Sequence, residues 1–216
     1  CGFPAFAAKM SGIKKRICHS HSNNWTKGYR LKEKILLSVL RKMIRYSATD
    51  CCACSVEAAA FLFGRKMVNN GKVKVLKNGI EVDLFSDTSA NCRSSVRQEL
   101  NISSQAKIIG HVGSLSQIKN QLFILKILKK LLEEGEHFVA VFAGDGPLKS
   151  VIEDEAKKMG VRHHIRLLGM RSDIPRLMRA FDVFLFPSLY EGFGIVTLEA
   201  QSSGTPCVVS DAVPKT

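Results

Sequence analysis

No run of this 216-residue chain approaches the roughly 18 consecutive apolar residues that a membrane-crossing helix needs. The start, CGFPAFAAKM, has neither an initiator Met nor the layout of a signal peptide, and the end, VVSDAVPKT, follows a strand-like run with no closing helix. Both ends are therefore expected to be truncations. A second ligand pair at zinc spacing is also lacking: Cys51, Cys52 and Cys54 stand together, but alternate residues on a strand point to opposite faces. Seven cysteines is an odd number, and Cys18, Cys51 and Cys207 sit in short apolar runs where a thiol acts as a small hydrophobe. A reducing cytoplasm is implied, and no metal. Acidic residues are scarce at one end, where residues 1 to 77 hold 3 Asp plus Glu against 16 Lys plus Arg; residues 78 to 216 hold 16 of each. The basic part is expected to face something anionic.

With 45% hydrophobic and 24% charged residues, the composition is that of a globular protein with one good core or two small ones. From about Lys107 apolar runs alternate with helical ones: KIIGHV, QLFILKILKKLLEEG, HFVAVFAG, LKSVIEDEAKKMG, IRLLG, DIPRLMRAF, VFLFP, GIVTLEAQSSG and PCVVS. Five strands each reached through a helix require a parallel sheet covered on both faces. Gly135 and Gly160 stand just beyond two of the helical runs, where a left-handed residue closes a helix. The first 77 residues show a strand KRICH, a helix from about Lys27 to Tyr46, a strand DCCACS, a helix capped by Ser55, and a strand KVKVL. Asn78-Gly79 is a turn dipeptide, and the polar segment from there to about Asn101 reads as a linker. The domains are accordingly placed at 1–78 and 79–216.

The strongest local signal is FPSLYEGFGIVTLEAQSSGTP, residues 186 to 206. Gly192 and Gly194 let backbone approach a ligand, and the free amides of Phe193 to Val196 at the helix start form an anion site suited to phosphate. Glu191 could be a plain helix-dipole acid. Glu199 is different, because an acid within the apolar stretch VTLEA needs a partner.

Taken together, EGFGIVTLE, KNGIEVDLF, GHVGSLSQIKNQ and AGDGP resemble the family-four retaining glycosyltransferases with the two-domain GT-B fold; HSHSNN, CSVEAAAFLFG and EAQSSGTPCVVSD narrow the resemblance towards bacterial exopolysaccharide and capsule transferases. It implies two Rossmann-like parallel-sheet domains, an incomplete acceptor-side one and a nearly complete donor-binding one. It further implies transfer of a sugar, with retention, from a nucleotide-diphosphate sugar to a saccharide acceptor that is expected to be lipid-linked. By the same resemblance Glu191 contacts the donor sugar and Glu199 holds the ribose hydroxyls. Gly192, Phe193, Gly194 and Ile195 offer amides to the diphosphate, on which Lys119 places a cation. Gly144, Asp145 and Gly146 line the nucleotide cleft, and the base sits near Gly169, Met170 and Arg171. His19, at the end of the strand KRICH, faces donor sugar and acceptor as a catalytic group, with His21 in reserve.

One position departs from that pattern. The family places Arg after the glycine of a Gly-Arg-Leu motif, whereas Gly113 is followed here by Ser114. A hydrogen bond to a charged group contributes about 1.5 to 3 kcal/mol, so an unreplaced loss lowers activity by about an order of magnitude or more. A degenerate, non-catalytic binding protein thus stays open as an alternative, as does a GT-B sugar phosphorylase or nucleotide-sugar epimerase. No Asp-x-Asp pair stands near the donor motifs, which favours chemistry without metal or other cofactor. Nucleic-acid recognition motifs are lacking, so no nucleic-acid partner is expected. The helix from Lys27 should carry Leu31, Ile35, Leu36, Val39, Leu40, Met43 and Ile44 as a core stripe, with cations elsewhere around it. Those cations suit an anionic membrane, giving a cytoplasmic protein held peripherally on the inner face of the plasma membrane.

Overall fold

The computed structural model describes residues 2–21, 31–86 and 92–213. Their contacts divide the chain into two compact units, residues 1–79 with 191–193 and 214–216, and residues 80–190 with 194–213.

In the first unit, α1 (Gly2–Met10) packs on α2 (Leu31–Ser47), so closely that a side chain at Gly2 would lie 3.0 Å from the Leu40 carbonyl oxygen. Three parallel strands, β1 (Ile17–Ser20), β2 (Asp50–Ala53) and β3 (Lys74–Val75), lie in the order β1-β2-β3. The third is only two residues long, shorter than KVKVL suggests, and both of its residues are exposed. Ser55 caps α3 (Val56–Phe63), its side chain accepting from the Ala58 amide at 3.1 Å, and α4 (Arg65–Asn69) follows. Cys18, Cys51 and Cys54 join Ile44, Ala53, Ala58 and Phe63 in the core, where burial pushes the Cys51 thiol up to about 11.

The expected core stripe of α2 is corrected. Leu31, Ile35, Leu36 and Val39 are exposed, Leu40 and Met43 are half-buried, and of the stripe Ile44 alone belongs to this unit's core among the described residues. Arg41 also leaves the solvated face, donating to the Phe61 carbonyl with its guanidinium 5.2 Å from that ring's centre. Lys27 and Arg30 lie outside the described residues.

The second unit begins with a further correction. Where a polar linker is expected, α5 (Val82–Ser86) and α6 (Cys92–Glu99) form, each burying one apolar residue, Phe85 and Val96. Ion pairs account for the polarity, since Arg93 and Arg97 both hold Asp182, which also accepts from the Ile108 amide at 2.7 Å. After them come β4 (Lys107–Val112), α7 (Gln121–Glu133), β5 (Phe138–Ala143), α8 (Lys149–Lys158), β6 (Ile165–Leu167), α9 (Ile174–Ala180), β7 (Val183–Phe186), α10 (Ile195–Ser202) and β8 (Cys207–Val209).

These five strands form one parallel sheet in the order β6-β5-β4-β7-β8. Strand side chains alternate between faces, and the core divides accordingly. Ile108, Val141, Phe184 and Phe186 pack with Val96, Leu177 and Ala200 on one side; Ile109, Phe142 and Leu185 pack with Ile124, Leu128 and Ile152 on the other. Gly135 and Gly160 close α7 and α8 with φ of 83° and 75°. At α8 the Val161 amide returns to the Ala156 carbonyl and the Gly160 amide to Lys157, the paired bonds that satisfy a helix's last carbonyls.

Candidate functional site

In the second unit the chain runs from β4 to β5 and β6 on one side, then returns to place β7 and β8 on the other. The sheet order therefore reverses between β4 and β7, and the crevice beyond the carboxyl ends of strands at such a point is where parallel sheets bind ligands. The loops that leave β4, β5, β6 and β7 there carry most of the residues singled out in the sequence.

Beyond β4 the chain passes Gly113 and exposed Ser114, whose Oγ is 3.4 Å from that of Ser116, and enters a 3-10 turn, Gln117–Lys119. The Lys119 ammonium lies 4.6 Å from the centre of the Phe186 ring, at the end of β7. Beyond β5, Gly144 and Gly146 are glycines of necessity. A side chain at 144 would be 2.0 Å from the Gly113 carbonyl oxygen and one at 146 would be 2.5 Å from that of Leu115, at φ of 137° and 157°. The Leu115 amide donates to the Asp145 carbonyl at 3.0 Å, so the two loops form one layer with the carbonyls and glycines interleaved. Asp145 turns its carboxylate to the Gly146 amide at 2.8 Å.

Gly144 also donates to the Gly169 carbonyl at 2.8 Å, which draws the loop after β6 into the same edge. Met170 is 80% exposed there and offers an open apolar surface. The Arg171 guanidinium is engaged elsewhere: it is held by Asp173 at 2.7 Å and Glu99 at 2.9 Å, and Arg176 pairs with the same two acids. That network holds the Asp173 carboxyl down at about 2. The structure thus brings Gly169 to the cleft and commits the Arg171 charge to the fold.

Gly194 caps α10 in the left-handed conformation without a side-chain bond, leaving the helix's first amides to be met from outside. One turn on, Glu199 is half-buried and has no hydrogen-bond or ion-pair partner among the described residues; burial raises its carboxyl above the ordinary range. Sequence reasoning missed two hydroxyls of the same segment, Ser188 Oγ and Thr197 Oγ1, which are buried and unpartnered among the described residues. A lone Ser or Thr gives no sequence signal for this, because burial without a partner is a property of the fold.

Three site candidates, Glu191, Gly192 and Phe193, group with the first unit, where Phe193 packs half-buried against that unit's core. His19 is also there, on β1 opposite Cys52. Its Nε2 is buried without a partner among the described residues, its ring lies 4.1 Å from that of His21, and burial followed by the His21 charge lowers its pKa. Among the described residues no cluster of three or more His, Cys, Asp or Glu is placed to hold a metal ion, and no helix is long and apolar enough to cross a membrane.

Residues 93–215 match the family model described as glycosyl transferases group 1. The chain is 41% identical over 212 residues to the putative glycosyltransferase EpsF of Bacillus subtilis, covering 98% of the chain and 55% of that protein. It is 28% identical over 208 residues to an Escherichia coli UDP-Gal:alpha-D-GlcNAc-diphosphoundecaprenol alpha-1,3-galactosyltransferase, covering 95% of the chain and 54% of that enzyme. In structure it is similar to Anabaena Alr3699/HepE solved with UDP and glucose, with a TM-score of 0.83 at 25% identity over 97% of this chain and 56% of that one. The chain spans about half the length of the curated relatives it matches.

Proposed function

This chain belongs to the group 1 glycosyl transferases and has their GT-B type of α/β fold, and on that premise we propose that its second unit binds a nucleotide-diphosphate sugar at the β4–β7 crevice. The observation that carries this reading is Glu199, a half-buried acid without a partner among the described residues, one turn into a helix whose open amino terminus stands at the sheet's reversal point. A carboxylate so placed suits a pair of ribose hydroxyls. The α10 amides and Lys119 suit the diphosphate, meeting its charge as the sugar leaves, and a metal ion is not required for that role. Gly144, Asp145, Gly146 and Gly169 shape the nucleotide cleft, with Met170 against the base. Ser188 and Thr197 add two hydroxyls that a ligand could satisfy.

The whole protein is then a retaining transferase in which Glu191 contacts the donor sugar, the amides of Gly192, Phe193 and Ile195 contribute to diphosphate binding, and His19 serves the acceptor hydroxyl. That acceptor is a lipid-linked saccharide, as the Escherichia coli relative's name says of its own substrate, and the product is an exopolysaccharide or capsule. The exposed Leu31, Ile35, Leu36 and Val39, interspersed with Lys32, Lys34 and Lys42, suit an anionic membrane surface on the cytoplasmic side. Incubating the full-length protein with labelled nucleotide sugar and acceptor tests the reading. Labelled saccharide formed in the presence of EDTA is expected; a labelled sugar phosphate, or an epimerised donor, would assign phosphorylase or epimerase chemistry instead.

A further inference from the structure

His111 is the one histidine of the second unit's strands, and it is fully buried. Phe142, Phe184 and Phe186 stand around it with ring centres 6.0, 6.4 and 5.9 Å away. Its Nδ1 is 2.9 Å from the Leu185 carbonyl on β7. A carbonyl only accepts, so Nδ1 carries the proton and Nε2 is left as an acceptor. Gln121, also fully buried at the start of α7, places its amide nitrogen 3.2 Å from that Nε2 and 2.8 Å from the Ser114 carbonyl, while its oxygen accepts from the Ser116 amide at 3.3 Å. Both amide hydrogens and the oxygen of Gln121 are therefore used, and reversing the amide would set oxygen against two acceptors.

The chain of bonds runs from β7 through β4 to the loop that carries Ser114 and leads to Lys119. Two further bonds tie the same turn to the loop beyond β7, from Asn120 Nδ2 to the Pro187 carbonyl at 3.3 Å and from the Leu189 amide to the Ile118 carbonyl at 2.7 Å. Buried polar groups this fully satisfied specify one arrangement, because any alternative leaves an unpaired group in an apolar core.

We propose that Gln121, held by neutral His111, is a positioning residue for donor binding: it fixes the loop of Gly113, Ser114 and Ser116 at the diphosphate end of the crevice. The proposal rests on the donor-site reading above. Burial keeps the His111 ring neutral down to about 4, aided by the charge of Lys119 and opposed by its bond to Leu185.

Two measurements on the full chain test it. In histidine 15N spectra of the nucleotide-free protein, His111 is expected as the Nδ1-protonated neutral form with no titration between about pH 8 and 5. Gln121→Glu should convert Nε2 into a donor to the new carboxylate and move the ring's titration up into the neutral range. Calorimetry with UDP and GDP is the second. Gln121→Glu and the uncharged, similarly sized Gln121→Met should each lose at least about tenfold in affinity while remaining folded. A wild-type ring that titrates near 6.5 or carries its proton on Nε2 overturns the proposal, as do two folded variants that bind like wild type. Wild-type protein with the expected ring spectrum but no nucleotide binding overturns it together with the donor-site reading, and the spectrum tells that failure from a failure of the brace alone.

Discussion

Glu199 has no hydrogen-bond or ion-pair partner among the described residues, and its raised pKa gives that a measurable consequence. A carboxyl whose folded pKa is raised above its unfolded value favours folding most below the unfolded pKa, near 4.5, and loses that contribution as pH rises through the folded value. Glu199→Gln removes the cost of burying the charge. Its melting temperature should exceed that of wild type at pH 7, and the gap should close as pH falls below about 4.5, while nucleotide binding weakens at pH 7. Thermal scans from pH 4 to 8, paired with UDP and GDP titrations, check both halves. Ser114 is the opposite case, an exposed residue with room for a larger one. Ser114→Arg in the full-length enzyme should tighten diphosphate binding about tenfold and raise turnover, since a guanidinium fork suits phosphate better than a hydroxyl. Unchanged kinetics would show that another cation already fills the role. Glu199 is legible in the sequence because an acid interrupts VTLEA. His111 and Gln121 are not, because what matters is a pairing between a strand and a helix start that only the folded chain creates.

At the scale of elements, the second unit's strands and helices follow directly from the alternation of apolar and periodic runs, and the closing glycines from their offsets. What the pattern could not give is which side of a helix finds a partner. The α2 stripe is apolar at helical spacing, yet Ile44 is 1% exposed and Ile35 56% exposed. Ile44→Ala should therefore destabilise the chain by about 2 to 5 kcal/mol, and Ile35→Ser should change its unfolding by less than about 0.5 kcal/mol; denaturant unfolding separates them. The exposed part of α2 should also drive sedimentation with anionic vesicles but not zwitterionic ones, falling with added salt and with Ile35→Ser. Binding indifferent to lipid charge would remove the electrostatic part of that account. The segments around α5 and α6 were hidden by a different effect: each helix buries a single apolar residue, and in α6 the charges of Arg93, Arg97 and Glu99 are taken up by ion pairs, so the composition resembles that of a linker.

Over the whole molecule, the uneven charge and the two core systems are one fact seen twice. The first unit carries the positive excess over a small three-stranded sheet, and the second, with balanced charge, forms a five-stranded sheet covered on both faces. Fold and order of elements were readable because the central strands of a parallel sheet are buried on both faces and read as continuous apolar runs, as KIIGHV and FVAVFA do. The environment of the site was not, since Arg171 looks like a ligand contact in sequence and is found bound to Asp173 and Glu99.

The central claim, that the β4–β7 crevice is a nucleoside-diphosphate site, is tested most directly by titrating the folded 216-residue chain with UDP and with GDP in a calorimeter. The account predicts saturable binding of at least one of them below millimolar concentration, weakened by Glu199→Gln. A folded chain that binds neither at millimolar concentration would contradict it.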